Sequence, residues 1–157
     1  MNGLLTNIRW GKVILAGLIY FIIALIARQV DIIFTVNYFK MPAYFGVWSK
    51  LLMPGTGPPP LKFYIVSILF SLLAGLTIAF VFEIIKEKLA VGYWKKVFEF
   101  TCLTILLNIV SFSLPVYLLF NVPIGLLLSW LVTNIVVIFL STLAFAKILK
   151  INVGVIN

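Results

Sequence analysis

Four stretches of this chain hold too many consecutive apolar residues, and too few charges, to be ordinary core elements. They run from about Val13 to Val36, Phe63 to Phe82, Phe98 to Phe120 and Ile124 to Ala146. An α-helix rises about 1.5 Å per residue and a bilayer core is about 30 Å thick, so about twenty apolar residues cross it. Each stretch reaches that length. The expected fold class is all-α: an integral membrane four-helix bundle, with residues 1–157 as a single four-span transmembrane domain. Composition agrees. The chain is 64% hydrophobic and 10% charged, against about half apolar and a quarter charged in a soluble domain.

The charges set an expected orientation. Arg9 and Lys12 precede span 1, Lys86, Lys88, Lys95 and Lys96 join spans 2 and 3, and Lys147 and Lys150 follow span 4. Only Lys40, Lys50 and Lys62 fall on the opposite side. The excess of basic residues marks the cytoplasmic face, so both termini are expected there, in a multi-pass plasma membrane protein. The net charge of +8 is accounted for in this way. No basic stripe with interleaved aromatics stands free of the apolar runs, and no nucleic-acid partner is expected. Span 1 has the basic start and apolar run of a signal peptide. Cleavage after Ala27 would put Leu25 where a small residue is required, so the span is expected to be retained.

Between spans 1 and 2, Met41-Pro42 stops the first helix. Tyr44, Val47, Trp48, Leu51 and Leu52 then recur at helical spacing and read as a short interfacial helix. Pro58, Pro59 and Pro60 make a stiff spacer into span 2. Within span 2, Ser71, Gly75 and Ala79 recur every four residues, a ridge of small side chains that lets helix backbones approach closely. The connector after span 2 reads as solvated, with Glu83 and Lys86 spaced to pair and Gly92 as a helix stop. Pro115 is expected to kink span 3, and Asn121 to cap span 4 with Pro123 in its first turn.

Two polar constellations stand out. Asn108 lies thirteen residues before Asn121 and Asn134 thirteen after it, so an antiparallel hairpin brings both amides to one depth. They are expected to bond one another or to share a partner. In span 1, Gly17, Ala24, Arg28, Asp31 and Thr35 share a small or polar helical face. Arg28 and Asp31 are one turn apart and able to neutralise one another. Gln29 adjoins them, and Ser111, Ser113, Ser129 and Trp130 lie at similar depth from their own span ends. Three readings stay open: a structural ion pair, a site for a small anion or lipid headgroup, and proton coupling through Asp31. An adjacent guanidinium favours the ionised carboxyl and opposes the third.

No histidine is present, and Cys102 is the lone cysteine, read as a small buried hydrophobe. A Cys/His metal site is therefore excluded, no cofactor is implied, and no opposed acid–base pair suggests an enzyme. The run Arg28-Gln29 late in span 1, with Met41-Pro42, Tyr44 and Trp48-Ser49-Lys50-Leu51-Leu52-Met53-Pro54 before span 2, resembles short uncharacterised prokaryotic proteins with four spans. That resemblance covers roughly residues 25–80 and implies architecture only, with no activity attached; the expected location is the inner membrane of a prokaryote. The lone first-span glutamate of small multidrug transporters and the signature of fluoride channels are absent. The expected function is that of a polytopic membrane protein, structural or a subunit of a membrane complex. The alternative is a small transporter or channel-like protein that binds an anion or headgroup at Arg28 and Asp31. Beyond the lipid bilayer, the expected partners are further copies of the chain or a larger membrane complex.

Overall fold

The computed structural model describes residues 8–44 and 60–149. Within them the chain is all-helical. The four long helices are α1 (Trp10–Phe39), α2 (Leu61–Ile85), α3 (Tyr93–Leu119) and α4 (Ile124–Ile148), and each is long and apolar enough to cross a membrane. One short 3₁₀ turn, Pro42–Tyr44, follows α1. The interfacial helix expected around Val47, Trp48, Leu51 and Leu52 lies outside the described residues, as do Pro58 and Pro59.

The first three helices start before their apolar runs, α3 by five residues, because a lysine in a terminal turn does not stop a helix. Arg9 precedes α1, while glycine or proline stands before each of the other three. Pro60 and Pro123 stand immediately before α2 and α4, with extended backbone. Gly92 departs from expectation. The helix α2 ends earlier, at Ile85, and Gly92 stands immediately before α3 with φ of 109°. A Cβ there would meet open space, so it is the backbone angle, strained for any other residue, that calls for glycine. Asn121 does not cap α4 either. Pro123 occupies that position, and its carbonyl accepts from the N–H groups of Leu126 and Leu127.

Pro115 has a local consequence. It cannot donate to the carbonyl one turn back, and the five residues before Leu114, Ile109–Ser113, form a wide π-turn. The N–H of Leu114 reaches back to the carbonyl of Ile109. Widened turns of this kind absorb an interrupted hydrogen-bond ladder.

The helices pack in the order α2, α1, α4, α3, with α1 between α2 and α4, and α3 against α4. The core lies at the end where α1 begins and α4 finishes, called here the basal end. There Phe82 of α2 meets Phe100 of α3 edge-on at 4.9 Å and Phe145 of α4 at 5.8 Å. Towards the opposite, distal end α3 leans on α4 alone, and its most apolar stretch holds no buried residue. Cys102 belongs to that outward surface. It is exposed and not buried, because a helix with one neighbour buries one narrow face.

The ridge of Ser71, Gly75 and Ala79 is buried against α1. A Cβ on Gly75 would come within 2.5 Å of the Gly17 carbonyl oxygen and 2.9 Å of the Tyr20 ring, and one on Gly17 within 2.9 Å of the Leu76 Cα. Backbone therefore meets backbone, and neither side yields by a rotamer change. Trp10 adds a stacked contact to Phe80 at 5.5 Å. Gly75→Ala is expected to cost about 1–3 kcal/mol through this overpacking, read as a lower melting temperature in detergent. Gly11→Ala, with nothing within 4 Å of its Cβ, serves as the neutral control.

Candidate functional site

Arg28 and Asp31 do not pair. Asp31 is 9% exposed, and its Oδ1 accepts a hydrogen bond from the Ser129 hydroxyl of α4. Arg28 is exposed, and its guanidinium donates to the Ser71 hydroxyl of α2 at 2.9 Å. Three residues turn a helix by about 300°, leaving the two side chains about 60° apart. Because α1 has a neighbour on each side, that angle sends one charge to α2 and the other to α4. The ion pairs among the described residues do not join them.

The direction of Arg28 follows from helix geometry. Gly17 and Tyr20 set the register against Gly75 and Leu76, which places Ser71 about level with Ala24, more than a turn before Arg28. Long helical side chains lean towards the N-terminus, and Arg28 does so. Its charge thus sits nearer the middle of the helices than its Cα.

The remaining expected members disperse. Gln29 and Ser111 are exposed, and Ser111 donates to the Leu107 carbonyl of its own helix at 2.5 Å. Ser113 is half-buried. Trp130 lies beside Phe112, ring centres 6.3 Å apart. Ser129 is brought to Asp31, because α4 packs directly against α1. The amides do meet: Asn134 Nδ2 donates to Asn108 Oδ1 at 3.5 Å, a long bond.

A second polar group, read from sequence as a solvated connector, is buried at the basal end. Glu83, Lys86 and Lys96 are 7%, 7% and 5% exposed. Glu83 accepts from Lys86 Nζ at 2.7 Å and from Arg9 Nε at 3.2 Å. Both cations also donate to the Leu149 carbonyl at the end of α4, Lys86 at 3.2 Å. Lys96 Nζ donates to the Lys86 carbonyl just past α2 at 2.7 Å. Tyr93 donates to the Leu143 carbonyl at 3.0 Å. Cations therefore serve the carbonyl ends of α2 and α4, where the helix dipoles are negative. The sequence held one signal for this burial: the four-residue spacing of Ser71, Gly75 and Ala79 continues to Glu83.

Removing one partner of a buried pair costs about 3–5 kcal/mol, while replacing both by apolar groups is often neutral. Glu83→Leu is therefore expected to lower the melting temperature more than the double variant Glu83→Leu, Lys86→Met. Equal losses would mean the cluster is solvated. No protein-family model matches this sequence, nor does any curated protein or solved structure.

Proposed function

We propose that the protein is a multi-pass membrane subunit, both termini cytoplasmic, that joins a larger assembly through an anionic group received at Arg28. The supporting observation is the state of that guanidinium. It has five N–H donors, is exposed near the middle of a candidate span, and among the described residues makes one hydrogen bond, to a neutral hydroxyl. A charge at such depth costs a few kcal/mol unless paired. A headgroup phosphate lies at the bilayer surface, and Arg28 leans away from the nearer end of its helix, which favours an acidic side chain carried on a partner's membrane helix.

A second copy of this chain does not supply it. The sequence has four acidic residues. Asp31 is buried against Ser129, and Glu83, Glu87 and Glu99 belong to the basal end. The open flank of α3 adds an apolar surface suited to further helices. The second reading, a small anion or lipid headgroup bound by a transporter or channel-like protein, draws on the same unspent donors and on Asp31 and Ser129 nearby.

Extracted from its own membrane in mild detergent, the wild type is expected to migrate as a species larger than one chain. Arg28→Leu is expected to migrate as the single chain and Arg28→Lys to retain the larger form, all with similar melting temperatures. A wild-type species of single-chain size overturns the subunit reading. Sulfate or anionic phospholipid that raises the melting temperature of wild type, and not of Arg28→Gln, establishes the second.

A further inference from the structure

Hydroxyls on these helices have a common resting place. Thr35, Thr104, Ser111 and Thr142 each donate to a carbonyl one turn earlier in their own helix. Thr101 of α3 and Ser141 of α4 do not. They are 8% and 0% exposed, and neither oxygen has a hydrogen-bond partner among the described residues. Each is a buried polar group that costs free energy while unmatched.

The register of the hairpin places the two together. Asn108 and Asn134 meet across the α3–α4 interface. Thr101 lies seven residues before Asn108, and Ser141 seven after Asn134. Seven residues are close to two turns and return a side chain to within about 20° of the same face. Thr101 and Ser141 therefore face the same interface at the same level, about 10 Å basal of the amide pair. Lys96 lies about 7–8 Å further towards the basal end on α3. It is buried and uses one of its three donors, on the Lys86 carbonyl.

We propose that Thr101 and Ser141 hold a buried water between α3 and α4, and that water reaches it along this seam from the Lys96 end. Two hydroxyls on facing helices supply both donors and acceptors, which suits a neutral ligand of one or two heavy atoms. Among the described residues no charged side chain stands at that level to fix an ion. The route rests on the bilayer reading: the outward flank of α3, marked by Cys102, then faces hydrocarbon, so water enters from the basal end. The proposal is independent of Arg28 and survives if the subunit reading fails.

The full chain, reconstituted in vesicles, tests it with aminoethyl methanethiosulfonate, a small water-borne thiol reagent. Thr101→Cys and Ser141→Cys, each combined with Cys102→Ala, are compared with native Cys102. Thiols react as thiolates in contact with water, so the seam positions are expected to be modified about tenfold faster or more. Rates no faster than that of Cys102 overturn the proposal. Thr101→Val and Ser141→Ala provide the second readout. Each is expected to lower the melting temperature by about 2–4 °C, non-additively, since both serve one water. A higher melting temperature means a dry, unmatched hydroxyl was removed and also overturns it. Lower melting temperatures without faster modification mean that the two hydroxyls bond directly, a third overturning result.

Discussion

The fold is tied together at the carboxylate of Glu83. It sits between Arg9 and Lys86, and the same two cations reach the last carbonyl of α4, while Lys96 serves the carbonyl end of α2. One acid and three bases thus connect the start of α1, the end of α2, the start of α3 and the end of α4. A helix leaves its final carbonyls without internal partners, and here Arg9, Lys86 and Lys96 donate to them. Phe82, Phe100 and Phe145 pack beside this cluster. Without Glu83, the same two cations would crowd one another at the Leu149 carbonyl.

The parts legible from sequence were those governed by long-range repetition. Apolar run length predicted four helices, the spacing of Ser71, Gly75 and Ala79 predicted a close helix approach, which the structure gives to α1, and equal spacing from Asn121 predicted that Asn108 and Asn134 meet. What was not legible depends on which neighbour a side chain faces. Glu83, Lys86 and Lys96 look like a surface connector when each charge at a span end is assigned to water. Their burial follows from the helices running past the apolar runs and converging there. Cys102 looks buried in an apolar run, yet it lies on the face of α3 turned away from the other helices. Gly92 looks like a helix stop, since glycine serves both helix ends, and only its φ distinguishes them.

The separation of Arg28 from Asp31 is of the same kind. On a helix with one neighbour, opposite charges three residues apart meet over the exposed face. On α1, with both α2 and α4 packed against it, the two side chains reach different neighbours. Ser71 and Ser129 then compete successfully for them, because a hydroxyl in a tight interface is reached without uncovering either flank. The polar face predicted for span 1 is real in its buried members, Gly17, Ala24, Asp31 and Thr35. It serves two interfaces and not one pocket.

These arrangements divide the molecule. At the basal end Glu83, Lys86 and Lys96 are buried and bonded, and all four helices converge. Distally α3 is bare on most sides, and Arg28 is exposed, with one hydrogen-bond partner, Ser71, among the described residues. An ion cluster already bonded gives a fixed frame and offers little to a ligand. An exposed guanidinium held by a single hydroxyl keeps its position while its remaining donors stay available. The stable end therefore fixes where Arg28 points, and the open end leaves room for whatever meets it. In the bilayer that the four helices are long enough to cross, the cost of an unpaired charge rises with depth. The backward lean of Arg28 onto Ser71 thus supports the proposed anionic partner instead of placing the charge at the surface.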